Sequence, residues 1–157
     1  MKLILVRGAS GTGKSTISAS IILRASQNGD KLCAFHETDQ FFVDEKGEYH
    51  FSVSKLGCAH NWNQLQVERS MLHRKEIVVV ANTFCALWEM EKYFELAEEY
   101  QYDVEIIRTP GPWEPDTLFR RNKHSVPLDV IKRHINGYQP HDKEIVWSDM
   151  SIFEEMS

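Results

Sequence analysis

The chain alternates short apolar runs with longer amphipathic segments. Lys2–Val6 and Ile77–Ala81 are almost uninterrupted apolar runs, which is typical of strands buried in a parallel sheet. Similar runs predict strands at Lys31–His36 and Tyr102–Ile107, and a short edge strand at Glu144–Trp147. We therefore expect a sheet whose central strands are buried on both faces.

Between these runs, apolar residues recur at the spacing of helices. The predicted helices are Ser15–Gln27, Ser54–Arg74, Ala86–Glu99, Asp116–Lys123 and a last one that begins at Val126 or Pro127 and ends at Asn136. The apolar sides expected for the first three are Ile17, Ile21, Ile22 and Ala25, then Leu56, Ala59, Leu65 and Leu72, then Leu87, Met90, Phe94 and Ala97. Because strands alternate with helices, the sequence predicts an α/β fold with three α/β/α layers around a mainly parallel sheet, in one domain over residues 1–157.

The segment Gly8–Ser15, which reads GASGTGKS, follows the first predicted strand and opens the first helix. It matches the phosphate-binding P-loop pattern, in which main-chain N–H groups and a helix N-terminus face phosphate oxygens. Lys14 is expected to reach the β- and γ-phosphates of ATP, and Ser15 is expected to hold Mg²⁺. The predicted nucleotide-binding residues here are Gly8, Ser10, Gly11, Thr12, Gly13, Lys14, Ser15 and Thr16.

Polar residues follow the other predicted strands, at the edge of a parallel sheet where ligands bind. Asp39, just after the second strand, is the candidate general base that takes a proton from an attacking hydroxyl. Asp39 and Thr38 also favour helix starts, so capping is the alternative interpretation. Asn82 and Thr83, after the third strand, are candidates for contact with substrate.

Residues 110–126 are predicted to form a lid. Prolines at 110, 112 and 115 interrupt regular structure before a short basic helix that carries Arg120, Arg121 and Lys123. In kinases such cations approach the transferring phosphoryl group, so Arg120 and Arg121 are assigned to nucleotide binding and Arg121 to catalysis. A solvated basic helix face is the alternative.

Ala81 lies where many P-loop proteins place an aspartate that helps to hold Mg²⁺. Asn82 and Thr83 carry no charge, so the metal would rely on Ser15, phosphate oxygens and water. Either Asp39 or Glu37 could add a carboxylate. The sequence leaves this choice open, and it leaves weakened or redirected activity open as well.

Composition excludes some partners. The formal charge of −5 argues against non-specific coating of nucleic acid, and no apolar run is long enough to cross a membrane. Cys33, Cys58 and Cys85 lack a paired motif, so we expect reduced thiols that fill core or near-core positions in a soluble cytoplasmic protein. Oligomeric state is not readable from the sequence.

The ordered set of motifs resembles the 5′-polynucleotide kinase family of small P-loop phosphotransferases, including compact kinase-like proteins of phages and their eukaryotic relatives. The matching segments are Gly8–Ser15, Thr38–Phe42, Ala59–Gln64, Asn82–Thr83, Trp88–Met90, Trp113, Arg121–His124 and Val126–Pro127. The resemblance implies that Asp39 activates a 5′-hydroxyl and that Arg121 is a lid arginine, with Thr83 on the substrate side. Ala81 departs from the family's usual aspartate before Asn-Thr, and Phe42 replaces an arginine that phage polynucleotide kinase directs toward the acceptor.

The segment around Trp62 is a second candidate contact with substrate. Trp62 could stack on a base, and Asn63 or Gln64 could read a base edge or a phosphate. Alternatively, Trp62 packs in the core and His60 bonds to loop main chain. We assign His60, Trp62 and Asn63 to substrate binding, together with Asp39, Asn82 and Thr83.

From these residues we predict an ATP- and Mg²⁺-dependent phosphotransferase whose acceptor is a polynucleotide 5′-hydroxyl or a nucleotide-like hydroxyl. Two alternatives stay open. One is a kinase for a modified base or small metabolite, and the other is an ATP-binding regulatory or interaction module with weak ATPase activity.

Overall fold

A computed structural model describes residues 1–29 and 32–148. Its five strands are β1 (Lys2–Arg7), β2 (Cys33–His36), β3 (Ile77–Ala81), β4 (Asp103–Arg108) and β5 (Glu144–Val146). They form one sheet in the order β2-β3-β1-β4-β5, and every neighbouring pair is parallel. The predicted sheet is confirmed, although Lys31 of the predicted second strand lies outside the described residues.

Helices connect the strands. They are α1 (Lys14–Gln27), α2 (Leu56–Leu72), α3 (Glu91–Tyr100), α4 (Pro115–Arg121) and α5 (Leu128–Asn136). Short 3-10 helices cover Thr38–Phe42, Val53–Lys55 and Leu87–Met90. Two predicted helices therefore begin with a 3-10 turn, because helical spacing does not distinguish the tighter turn from the α-helix that follows it.

Alternate residues of β1 pack on opposite faces of the sheet. Leu3 and Leu5 join the core beneath α2 and α3, whereas Ile4 and Val6 join the core that includes α1 residues such as Ile21. All four β1 residues are fully buried. Because each face is covered by helices, the three-layer α/β/α fold predicted from the sequence is confirmed.

The predicted apolar side of α2 is wrong for its three leucines, whereas Ala59 is buried as predicted. Leu65 and Leu72 are more than 60% exposed, and Leu56 is exposed as well. The buried side is Ala59, Asn63, Val67, Ser70 and Met71. Three of these five residues are small or polar, so hydrophobicity alone indicated the wrong side. The α3 prediction holds in part, since Met90 and Ala97 are buried but Leu87 is exposed.

Hydrogen bonds join the loops at the carboxyl ends of the strands. The Gly8 amide donates to the Thr83 carbonyl at 3.2 Å, and the Thr38 amide donates to Asn82 Oδ1 at 2.9 Å. The Thr109 amide donates to the Arg7 carbonyl at 3.0 Å. The loops after β1, β2, β3 and β4 therefore form one connected edge of the sheet.

Arg7, the last residue of β1, is a fully buried cation behind this edge. Its Nη1 donates to Glu144 Oε1 at 2.9 Å, and its Nε donates to the Phe84 carbonyl at 3.0 Å. The guanidinium also lies 4.2 Å from the centre of the Tyr138 ring. One side chain thus ties β1 to the loop after β3 and to β5.

The cysteines are all free thiols. Cys33 and Cys85 are half-buried, in agreement with the prediction, whereas Cys58 is exposed and fills no core position. In the part of the chain that the structure describes, no helix combines the length and apolar character that crossing a membrane requires.

Candidate active site

The P-loop is shaped by glycines in left-handed backbone conformations. Gly11 has φ +84° and Gly13 has φ +95°, values that side chains with a Cβ rarely adopt. A Cβ at Gly11 would collide with the main-chain carbonyl of Leu118 in α4. The Thr12 hydroxyl closes the loop by donating to the Ala9 carbonyl at 2.7 Å. Thus α4 lies directly against the P-loop.

Lys14 folds back over the P-loop. Its Nζ donates to the carbonyls of Gly8 and Ala9, both at 3.0 Å. Burial lowers the pKa of the Lys14 ammonium to about 8, although the nearby carboxylates of Asp39 and Glu37 oppose this decrease. The carbonyl groups hold the ammonium where a triphosphate could replace them as its partner.

Ser15 and Glu37 meet beside Lys14. The Ser15 hydroxyl donates to Glu37 Oε2 at 3.2 Å, which joins the start of α1 to the residue directly after β2. Burial raises the pKa of the Glu37 carboxyl; the hydrogen bond from Ser15 opposes this increase, and the charge of Asp39 adds to it. Thr16, the next residue of α1, is exposed.

Ser10 contacts a histidine of α5. Its amide and its hydroxyl each lie 3.4 Å from His134 Nδ1. Burial, with a smaller contribution from the charge of Lys14, lowers the pKa of His134 to about 4. The imidazole beside the P-loop is therefore neutral at pH 7.

Asp39 belongs to a group of three side chains, here called the Asp39 cluster: Asp39, Tyr49 and His124. The Tyr49 hydroxyl donates to Asp39 Oδ1 at 3.1 Å, and His124 Nε2 lies 3.7 Å from Asp39 Oδ2. The rings of Tyr49 and His124 are 4.3 Å apart. Burial and the Asp39 carboxylate raise the pKa of the Tyr49 hydroxyl, so this group stays protonated and donates. Asp39 itself is 44% exposed, which leaves it open to an incoming group.

Aromatic rings surround the Asp39 cluster. Phe42 packs edge-on against Tyr49 and Phe51, with ring centres 6.0 and 5.1 Å apart. Phe51 is 51% exposed and nearly parallel to Tyr49, with an angle of 13° between the rings. Phe41 lies 5.8 Å from Trp62. A half-exposed aromatic residue, Phe51, thus lies next to Tyr49 of the Asp39 cluster.

Of the substrate-binding residues predicted in α2, two lie near the Asp39 segment and one is buried away from solvent. His60 Nδ1 lies 3.4 Å from the Thr38 hydroxyl, and Trp62 is partly buried against Phe41, so both border the segment that carries Asp39. Asn63 is fully buried, and its amide donates to the Tyr93 hydroxyl at 2.9 Å. Its position favours a structural role between α2 and α3, and the predicted contact with substrate has no support from its placement.

Asn82 and Thr83 directly follow β3, the strand that lies between β1 and β2 in the sheet. Asn82 Oδ1 accepts from the Thr38 amide, while the Thr83 carbonyl accepts from Gly8. Both side chains are half-buried. Asn82 therefore holds the Asp39 segment in place through the main chain.

The segment predicted as a lid packs on the P-loop through Leu118 and α5 residue Ile131, which form a small core with Ala9. Glu114 caps α4 by accepting from the Thr117 amide at 2.7 Å. Arg120 and Arg121 lie in the last turn of α4 and are exposed. Among residues 1–29 and 32–148, neither guanidinium forms an ion pair, so their predicted contact with phosphate stays a prediction.

Sequence reasoning assigned no role to Tyr49 or His124. Tyr49 lies next to a turn at Gly47, where Val43 and Tyr49 form an antiparallel bridge that brings the ring back to Asp39. His124 follows α4, in a turn that Asn122 closes by accepting from the Val126 amide at 2.7 Å. The only signal in the sequence was the position of His124 in the Arg121–His124 motif.

Together, the parallel sheet and the P-loop at the end of β1 define a P-loop protein of kinase-like α/β fold. The AAA domain family matches residues 3–141 of the chain. The chain belongs to this family.

Similarity to individual proteins agrees with this assignment. The chain is 34% identical over 140 residues to human NEDD4-binding protein 2, an alignment that covers 87% of this chain and only 8% of that protein. A structure of the Pnkp1/Rnl/Hen1 RNA repair complex matches with a TM-score of 0.65 and 19% identity, over 87% of this chain and 43% of that one. The Mycobacterium tuberculosis APS kinase CysC, in complex with AMPPNP and APS, matches with a TM-score of 0.60 and 16% identity. That match covers 98% of this chain and 92% of the CysC chain. The chain thus spans less than half the length of the first two proteins.

Proposed function

We propose that this protein is an ATP-dependent phosphotransferase that moves the γ-phosphoryl group to a hydroxyl, on a polynucleotide 5′ end or a nucleotide-like acceptor. The observation that carries the proposal is the position of Asp39. Its carboxylate is partly exposed, held by Tyr49 and His124, and close enough to Lys14 to influence the ammonium electrostatically. A base next to the phosphate-binding cation is the arrangement that phosphoryl transfer requires.

In the proposed reaction, the acceptor oxygen attacks the γ-phosphorus while its proton passes to an Asp39 carboxylate oxygen. The bond between the γ-phosphorus and the β,γ-bridging oxygen breaks, and ADP leaves with that electron pair. Lys14 stabilises the negative charge on the phosphate oxygens. The Tyr49 hydroxyl orients the Asp39 carboxylate by donating to one of its two oxygens.

The fold class implies Mg²⁺, and the residues present fit this ion. The Ser15 hydroxyl lies at the start of α1 next to a carboxylate oxygen, and Mg²⁺ prefers oxygen ligands. When bound, Mg²⁺ would neutralise charge on the β- and γ-phosphates. The chain's own task at this position is to present the Ser15 oxygen to the ion beside the phosphates.

Two features support a nucleotide-like acceptor. The half-exposed Phe51 ring lies next to Tyr49, which itself contacts Asp39, so a stacked base would place its sugar hydroxyls near the carboxylate. The resemblance to polynucleotide kinases points the same way. The exposed Arg120 and Arg121 of α4 are proposed to approach the phosphates when the lid segment moves.

A transfer assay with labelled ATP tests the proposal. The acceptors are DNA and RNA oligonucleotides with 5′-hydroxyl ends, nucleosides, a panel of small hydroxyl metabolites, and water alone. We expect label on the oligonucleotide 5′ ends or on nucleosides. Asp39→Asn should lower the rate by about 10²–10⁴-fold, the usual contribution of a general base. The matched control is Asp103→Asn, at the opposite end of the sheet, which should retain wild-type activity.

The other outcomes identify the alternatives. Transfer only to small metabolites would indicate a metabolite kinase, and release of phosphate to water alone would indicate a weak ATPase. Binding of ATP without turnover would favour a regulatory module, an outcome that the apolar residue Ala81 makes worth testing. Full activity of Asp39→Asn would overturn the role of Asp39.

A further inference from the structure

Ala81 is the last residue of β3. This strand lies between β1, which leads into the P-loop, and β2, which leads into the segment with Glu37 and Asp39. The strand order puts β3 between β2 and β1, and Val6 is paired with Ala81 in the register. The Ala81 methyl group is 2% exposed and belongs to the core beneath α1. Ala81 therefore supplies no metal-binding group at the position where P-loop proteins often have an aspartate.

A carboxylate reaches the Ser15 hydroxyl from the next strand instead. Glu37 directly follows β2, one strand farther from the P-loop than β3. Its side chain is one methylene longer than that of aspartate, and it extends far enough for Oε2 to lie 3.2 Å from Ser15 Oγ. Ser15 and Glu37 therefore contact each other directly, across the end of β3.

The contacts of Asp39 separate it from this position. Both of its carboxylate oxygens face the Asp39 cluster, Oδ1 toward Tyr49 and Oδ2 toward His124. The contact of Glu37 is with the P-loop serine. Two carboxylates two residues apart thus have different partners, the P-loop serine for Glu37 and the Tyr49 and His124 side chains for Asp39.

We propose that Glu37 supplies the carboxylate that holds Mg²⁺ next to Ser15, either directly or through a bound water, in place of the aspartate that Ala81 replaces. This inference rests on the proposed ATP-dependent function and decides between the two carboxylates that the sequence left open. It makes Glu37 a residue of the donor side and leaves Asp39 free to act on the acceptor hydroxyl.

Metal-dependent nucleotide binding tests this assignment without requiring turnover. The dissociation constant of a fluorescent ATP analogue is measured for the full chain in excess Mg²⁺ and in EDTA. We expect Mg²⁺ to tighten binding to the wild-type protein. Glu37→Gln retains an oxygen acceptor for Ser15 but lacks the charge, and it should lose about 10–100-fold of affinity in Mg²⁺. Its affinity in EDTA should be no weaker than that of the wild type.

Two matched variants complete the experiment. Asp39→Asn should keep the Mg²⁺ enhancement, and so should Glu45→Gln, which removes an exposed carboxylate from the turn near Gly47. Electron paramagnetic resonance of Mn²⁺ in the presence of ATP provides a direct readout, since Glu37→Gln should leave more of the Mn²⁺ free.

Each outcome has a definite meaning. An unchanged Mg²⁺ enhancement in Glu37→Gln would overturn the assignment, as would loss of the enhancement in Asp39→Asn alone or a wild-type protein that shows none. If Glu37→Gln loses the enhancement while the wild-type protein transfers phosphate to no acceptor, the metal assignment stands and the phosphotransferase proposal fails.

Discussion

The P-loop and the Asp39 cluster lie at the same edge of the sheet but are built in different ways. The P-loop is eight consecutive residues, and its shape comes from main-chain conformation at Gly11 and Gly13 and from packing against α4. The Asp39 cluster gathers side chains 10 and 85 residues apart in the chain. A phosphate-binding loop can therefore be encoded locally, whereas the proposed acceptor side depends on a turn and on the segment after α4 reaching Asp39.

The largest effect is expected from Gly11→Ala, a substitution that distorts the P-loop. The added Cβ meets the Leu118 carbonyl, and φ +84° is itself unfavourable for alanine. We expect the free energy of unfolding to fall by about 2–4 kcal/mol, through backbone strain and overpacking together. Chemical denaturation measures this change, and nucleotide affinity should fall with it.

Gly57→Ala is the matched control. Gly57 lies in α2, and a Cβ there would meet no atom within 4 Å. This variant should be neutral or more stable by roughly 0.5–1 kcal/mol, because alanine favours a helix. Wild-type stability of Gly11→Ala would contradict the close packing of α4 on the P-loop.

The pH dependence of ATP affinity tests the P-loop through Lys14 and does not involve the Asp39 cluster directly. Since burial lowers the pKa of Lys14 to about 8, the ammonium is charged below that pH and loses its proton above it. Binding of a triphosphate requires the charged form and must take up a proton at higher pH. ATP affinity should be governed by other groups below pH 8 and should weaken by up to about tenfold per pH unit above it.

Fluorescence titration of an ATP analogue between pH 7 and 10 measures this dependence. Lys14→Arg carries a cation that stays charged in proteins, so its binding should not weaken through this range. A flat wild-type profile would show that Lys14 remains ionised, in disagreement with its buried position.

Tyr49→Phe should give the smallest effect, confined to the Asp39 cluster. The change removes the hydrogen bond to Asp39 Oδ1 and keeps the ring that packs on Phe42 and His124. We expect kcat to fall by about three- to tenfold, since the bond is partly exposed to water, with no change in ATP affinity. Steady-state kinetics and a binding titration measure the two quantities.

A double-mutant cycle identifies the route of this effect. If Tyr49 acts through Asp39, Tyr49→Phe should cause little further loss in an Asp39→Asn background. Tyr100→Phe, at the end of α3, is the control and should behave as wild type. Fully additive losses would argue that Tyr49 acts independently of Asp39.

The sequence predicted much of the fold because its signals are local. The apolar runs of β1 and β3 and the pattern of α1 were sufficient to place the central layers, and Gly8–Ser15 identified the P-loop without tertiary information. The face of α2 was wrong because Asn63 and Ser70 are buried there: a polar residue that finds a partner inside the protein has no distinct pattern.

The rest of the site could not be predicted, because it is formed by side chains that lie far apart in the sequence and meet only in the folded protein. Asp39 was identified by its position after β2, but its partners Tyr49 and His124 lie beside a turn and after α4, in segments whose folding the sequence does not specify. Glu37 and Asp39 are equivalent as carboxylates in the sequence. Only the direction of each side chain, one to Ser15 and one to Tyr49, separates them.

The buried Arg7 side chain has a consequence for the order in which the protein folds. Its guanidinium is neutralised by Glu144 of β5, a strand made 137 positions after Arg7 during synthesis. Until β5 pairs with β4, the residue preceding the P-loop carries an uncompensated charge that favours water over the interior. We therefore expect the edge of the sheet at Arg7 to be completed only after β5 has been synthesised and has paired with β4.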